Sequence, residues 1–207
     1  AKRLYFLALP IGITGLILPV TNAFIIVLLS KISIESVTAF GIANRVEAFA
    51  FIILMALSTS MSPIIGQNWG AKKYDRVRET LRLSIKFNIL FSLGIAVVLG
   101  ITGQHIAQLF TSDPATVKMT QLFFWVVPIS YALSNLANGW MSAFNALGKP
   151  KYSLIMMVGK YIVFLIPALW VGQQYGAIGI FAALSIVNII SGIAAHHMGW
   201  KICKQPS

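Results

Sequence analysis

Four charged residues fall inside or beside stretches that are otherwise apolar: Arg45, Glu47, Lys86 and Lys160. Glu47 is the acid that lies within a long apolar run, since Glu35 and Asp113 occupy short polar gaps and Asp75 and Glu79 a basic elbow. A carboxyl in that position binds a coupling cation or proton and attracts a cationic small molecule, or it closes a buried ion pair. Either way it needs a partner or water, because a charge near the middle of a bilayer costs about 3 kcal/mol or more. Residues two apart project about 200° apart around a helix, so Arg45 and Glu47 do not satisfy each other. Glu47 shares its face with Asn44 and Phe51, and Arg45 faces elsewhere. Lys160, on a later apolar run, is the candidate counter-ion for Glu47. Two readings stand side by side: an ion pair locking two helices, or an ion-coupling site at Glu47 and Asn44 with Arg45 and Lys160 as counter-charges. Lys86 lies close enough to the end of its run to extend its ammonium into the headgroups.

Uncharged polar residues gather in two of the apolar runs. Thr14, Thr21 and Asn22 occupy the first, and Ser130, Ser134, Asn135 and Asn138 the fourth. Ser134 and Asn138 are four apart and share a helix face, as do Thr14 and Thr21 over two turns. Such rows hydrogen-bond across helix interfaces or line a wet cavity. Asn188 and Ser191 form a smaller group in the sixth run.

The elements that must position these groups are helices in a bilayer. The chain is 57% hydrophobic and 10% charged, against about a quarter charged in a soluble domain. A core built from so short a chain cannot bury that much apolar surface. A helix needs about 20 apolar residues to cross the hydrocarbon. Six stretches qualify, at 4–30, 37–66, 80–103, 119–147, 152–172 and 177–200, forming one all-α membrane lobe over 1–207. Pro10, Pro19, Pro63, Pro128 and Pro167 fall within them and leave carbonyls that neighbouring groups must satisfy.

Sidedness follows from the elbow after the second stretch. Lys72, Lys73, Arg76, Arg78 and Arg82 stand there against Asp75 and Glu79, and basic residues beside a span are retained in the cytoplasm. By alternation, inner ends then hold Lys2, Arg3, Lys72, Lys73, Arg76, Arg78, Lys149, Lys151, Lys201 and Lys204, whereas outer loops hold Lys31 and Lys118. That count places both termini in the cytoplasm and the protein, with several crossings, in a bacterial inner membrane.

Other chemistries find little support. The net charge of +11 is scattered through short gaps beside lipid headgroups, which argues against a nucleic-acid partner. His196 and His197 are adjacent, about 100° apart on a helix, rather than four apart on one face as a metal pair would be. Gly66-Gln67-Asn68-Trp69-Gly70 lacks the Lys-Ser/Thr ending of a phosphate loop. Cys203 is the single cysteine, so no disulfide closes within the chain. No enzyme active site is read here, and no metal or organic cofactor.

The elbow and its surroundings also carry a resemblance. GQNWGAKKYDRVRE, preceded by AFGIANRVEAF and followed by LFTSDPATV at 109–117 and SAFNALGKPKYS at 142–153, resembles the multidrug and toxic compound extrusion (MATE) transporters. The match is to the C-terminal six-helix half. The resemblance implies twelve spans in two lobes around a cleft, with the N-terminal six-helix lobe as partner. It also implies exchange of Na⁺ or H⁺ for small organic cationic substrates. The positions where NorM-type members carry coupling acids fall on Leu18 and on Ser134 or Asn135, none of them acidic. The Arg45-Val46-Glu47 stretch looks more like the DinF-like branch. Two alternatives remain: a lipid-linked precursor flippase of the same superfamily, which Arg45, Lys86 and Lys160 keep open, and a non-transporting scaffold with every charge paired and no wet cleft.

Overall fold

The computed structural model describes the backbone of residues 2–204 and the side chains of residues 16–201. Within them every regular element is helical. The first helix is α1 (Lys2–Ser30). A short turn leads to α2 (Ile34–Ala50), whose first turn is capped by the Ser33 hydroxyl accepting the Ser36 N–H at 3.1 Å. The second span, read as one stretch, is instead two helices: α2 gives way to α3 (Ile52–Gly70) with a bend of 47°. The break is at Phe51 (φ −93°, ψ 0°), twelve residues before Pro63, so a proline is not its cause. The Phe51 ring packs edge-on against Tyr131 at 4.9 Å, and that inter-helix contact holds the bend.

The elbow turns through Lys72, at φ 57°. Trp69 and Tyr74 close it edge to face at 5.1 Å, and the Lys149 ammonium lies 5.7 Å from the Trp69 ring centre. Next, α4 (Tyr74–Gln108) extends past both ends of the apolar stretch. Its 35 residues reach about 50 Å at 1.5 Å each, so the basic first turns project beyond the hydrocarbon. At its far end the helix continues through His105 to Gln108. α5 (Pro114–Val126) is followed by a 3₁₀ turn at Pro128–Ser130 and then α6 (Tyr131–Ala146). Pro128 lacks an amide hydrogen, and hydroxyls take up the carbonyls beside it: Ser185 donates to Val126 and Ser130 to Val127, both at 2.8 Å.

The fifth span comprises α7 (Pro150–Val158), a π-helical segment at Gly159–Leu165 and α8 (Ile166–Gly172). The widened turns end just before Pro167, whose missing N–H removes one ordinary i to i−4 bond. A turn at Gln173–Tyr175, with Gly176 at φ 71°, reverses the chain into α9 (Gly176–Lys204).

The helices pack around α6 and α9, the most extensively paired elements. One cluster, toward the Asp113 end, joins Leu29, Phe40, Phe123, Phe181 and Leu169; a second, toward the elbow, joins Ile65, Leu81, Trp140, Phe144 and Leu147. The polar groups lie between the two. Close approach of α6 and α9 depends on glycines of α9: a Cβ at Gly192 would lie 2.6 Å from the Leu133 Cβ. On α6, a Cβ at Gly139 would make only ordinary contact with Asn88.

At the far end, Asp113 caps α5, accepting the Thr116 N–H at 2.8 Å and the Thr116 hydroxyl at 2.6 Å. Those bonds hold its carboxyl below the usual aspartate range. A depressed folded pKa contributes stability above the unfolded value, lost as pH falls through the folded one. Asp113→Ala should therefore melt below wild type in detergent at neutral pH, with the two curves converging under acid. Curves that stay parallel down to low pH would show that the cap contributes nothing to pH dependence.

Candidate functional site

Two cavities meet at Glu47. One, of about 260 Å³, reaches inside the lobe to Thr21, Tyr131, Ser134, Lys160 and Asn188. The other, of about 780 Å³, runs along α2 and α3 to Ser58, Thr59 and Asn88. Asn22, Asn44, Glu47, Phe51, Asn135, Asn138 and Tyr161 line both, so the cavities adjoin along a wall with polar side chains from α1, α2, α6 and the π-helical segment.

Each element brings its group for a local reason. Glu47 sits one turn before the α2–α3 bend, and the Tyr131 hydroxyl donates to its Oε1. Tyr131 begins α6 directly after the Pro128–Ser130 turn, and its ring is the one Phe51 packs against. The bend and the turn thus converge on a single carboxyl. A buried tyrosine hydroxyl takes a hydrogen-bond partner, and here that partner is the acid.

The expected Glu47–Lys160 ion pair is not formed. Lys160 is 5% exposed, and its Nζ donates to the Ser134 hydroxyl at 3.0 Å while lying 5.2 Å from the centre of the Tyr161 ring. Among the described residues the ion pair present is Arg78–Asp75, on the exposed elbow. Tyr131 occupies the position beside Glu47, and Lys160, on the π-helical turns, reaches α6 instead. Arg45 faces away from Glu47 as its spacing requires; it is exposed on α2 and does not line either cavity. Lys86 is likewise exposed and outside the cavity lining.

The two polar rows come together. Thr21 and Asn22 of α1 face Ser134, Asn135 and Asn138 of α6 across the smaller cavity. Their bonding divides them. Thr21 returns its hydroxyl to the Ile17 carbonyl at 2.7 Å. Asn135 binds α4, donating to Ser92 at 3.2 Å, and its carbonyl accepts Asn88 at 3.4 Å. Asn188 of α9 donates to Ser130 at 3.1 Å. Asn138 is exposed within the lining. Thr14 lies outside the residues whose side chains are described.

Sequence reasoning did not single out Tyr131, Tyr161, Asn88 or Ser92. The one available signal was the Pro-Ile-Ser-Tyr order, which puts a hydroxyl-bearing ring immediately after a helix break. The histidines diverge as their adjacency requires: His196 Nε2 accepts the Trp200 indole N–H at 3.1 Å and His197 is exposed. Among the described residues no cluster of His, Cys, Asp and Glu is suited to a metal ion.

Comparison with known proteins agrees with this architecture. The chain is 32% identical over 204 residues to the FAD transporter of Shewanella oneidensis, covering 98% of this chain and 45% of that protein. It is 27% identical to the multidrug export protein MepA of Staphylococcus haemolyticus, covering 92% and 40%. The crystal structure of a mutant of the Vibrio cholerae MATE transporter VcmN superposes with a TM-score of 0.91 at 30% identity, over 96% of this chain and 45% of that one. The chain therefore spans less than half the length of the relatives it matches. The MatE family profile matches residues 10–171. An all-α lobe of six membrane helices, a family match over most of its length and this superposition lead to one conclusion: the chain belongs to the MatE family of multi-pass membrane transporters.

Proposed function

We propose that this lobe is half of a secondary antiporter that exports small organic molecules across the inner membrane in exchange for Na⁺ or H⁺, with Glu47 as its coupling site. The observation that carries the reading is a carboxyl on the wall of a polar cavity, within the spans, held by a neutral hydroxyl rather than neutralised by a cation. A carboxyl so held accepts a proton or Na⁺ in exchange for cargo, whereas one locked to a lysine does not. Asn44 and Asn22 line the same cavity as Glu47 and carry amide oxygens able to join it in holding a cation. Organic cations, the cargo implied by the resemblance, would be attracted to the same carboxyl; the relatives' names cover multidrug export and FAD transport.

The second lobe is also a proposal. Arg45 is exposed about 16 Å into α2 at 1.5 Å per residue, and a charge at that depth needs protein or water rather than lipid. An N-terminal six-helix lobe, parallel to this one, provides both across a cleft. The alternatives lose their supports. A scaffold requires paired charges and no polar cavity. A strongly cationic flippase cavity would include Arg45, Lys86 and Lys160, and of these Lys160 alone lines this one.

Proteoliposomes containing the full-length transporter should expel rhodamine 6G when a Na⁺ or proton gradient is imposed, while residues 1–207 alone should not. Gradient-driven flux by the 207-residue chain alone would sink the single-lobe reading, and full-length protein indifferent to both gradients would sink the coupling. For sidedness, a cysteine placed at position 73 in a Cys203→Ser background should resist an impermeant maleimide added to intact cells, and one at 113 should react. The reverse pattern would invert the topology.

A further inference from the structure

We propose that Lys160 is the anion-recognition group of this cavity, and that beside organic cations the lobe takes cargo carrying a carboxylate or phosphate next to an aromatic ring system. This rests on the reading of the cavity as the substrate passage. An ammonium has three N–H donors, and Lys160 uses one of them on a side chain, the neutral hydroxyl of Ser134. None of the chain's five acids is within ion-pair distance of it: Asp75 pairs with Arg78, Asp113 caps α5, Glu35 and Glu79 lie at helix starts outside the cavity lining, and Glu47 is held by Tyr131. A buried charge is costly unless paired, and the lobe supplies no carboxylate to pair it.

What surrounds the ammonium suits an oxyanion. The Ser134 hydroxyl stands beside it, and the carboxamides of Asn138 and of Asn188, which donates one N–H to Ser130, line the same 260 Å³. Charge-assisted bonds to carboxylate or phosphate are shorter and stronger than neutral ones. The rings of Tyr161 and Phe51 flank the passage into the larger cavity and offer a face to an aromatic cargo. Lys160 and Glu47 thereby divide the work: one holds the anionic end of the cargo, the other the coupling ion.

The shared chemistry is an acidic group, whose source is either a soluble organic anion or a lipid headgroup. Anisotropy titrations of the purified full-length transporter would use 5-carboxyfluorescein and rhodamine 6G, which share a xanthene skeleton and differ in charge. Lys160→Met should weaken carboxyfluorescein binding about tenfold or more, a loss of about 1.4 kcal/mol, without weakening rhodamine 6G, while Lys160→Arg retains both. Transbilayer movement of NBD-labelled phosphatidylglycerol, lost in Lys160→Met, would assign the anion to lipid; carboxyfluorescein uptake into neutral phosphatidylcholine vesicles would assign it to a soluble cargo.

Equal carboxyfluorescein affinity in wild type and Lys160→Met overturns the proposal, as does wild-type protein that binds neither anionic probe. Should Lys160→Met fail to fold, competition on wild type decides. Benzoate or inorganic phosphate must displace carboxyfluorescein, and displacement by tetramethylammonium alone counts against it. Anion binding that depends on Lys160 while gradient-driven flux is absent sinks only the antiport reading. Intact flux with anion binding indifferent to Lys160 sinks only this one.

Discussion

Glu47→Gln in the full-length transporter is expected to reduce ion-driven efflux to the level of empty vesicles while leaving the fold close to wild type. Glutamine keeps the length of glutamate and an oxygen that can accept the Tyr131 hydroxyl. What it loses is the charge that loads and releases the coupling ion. A neutral hydrogen bond contributes about 0.5–1.5 kcal/mol net, so the change in stability should stay below about 1 kcal/mol. Tyr131→Phe is the companion variant: it leaves a carboxyl without its donor, at a cost of about 1–3 kcal/mol, and shifts the ion dependence of flux rather than abolishing it. Because Lys160 binds Ser134 instead of Glu47, Lys160→Met should not rescue either variant. A Glu47→Gln protein that is stable and fully active would move coupling to the other lobe.

A large loss of stability should come from substitution of Gly192. A Cβ there would lie 2.6 Å from the Leu133 Cβ and closer still to the Leu133 carbonyl oxygen. Backbone cannot swing aside as a long side chain can, so α6 and α9 must separate. Gly199, seven residues further along the same face, would place its Cβ 2.6 Å from Cε2 of the buried Trp140 ring, and the two positions clamp α9 to α6 over two turns. Overpacking of this kind costs about 1–3 kcal/mol or more. Gly192→Ala should lower the melting temperature of the detergent-solubilised protein, and Gly192→Leu should prevent accumulation of folded protein. Gly41→Ala is the control. Nothing lies within 4 Å of a Cβ at that position, and alanine is the better helix former by about 0.5–1 kcal/mol. Equal melting of Gly192→Ala and Gly41→Ala would refute the close-packed α6–α9 seam.

The spans were readable because a bilayer imposes a length. About 20 apolar residues are needed per crossing, and polar punctuation at Lys31–Glu35, at the Lys72–Arg82 elbow and at Ser112–Pro114 leaves little freedom. The facing of Ser134 and Asn138 was readable because four residues make about one helical turn. The isolation of Arg45 from Glu47 followed from the same geometry. Which partner each group found was not readable. Helices that are apolar nearly all round, such as α1 and α9, carry no stripe that fixes their rotation about their own axes, so the sequence does not say which side meets a neighbour. Only packing decided that Tyr131 reaches Glu47, that Lys160 reaches Ser134, and that α2 bends at Phe51 without a proline. Those outcomes depend on contacts between residues 26 to 84 positions apart, a separation at which local periodicity carries no information, and they are the contacts that turn two polar rows into a cavity with a carboxyl on one wall and an ammonium on the other.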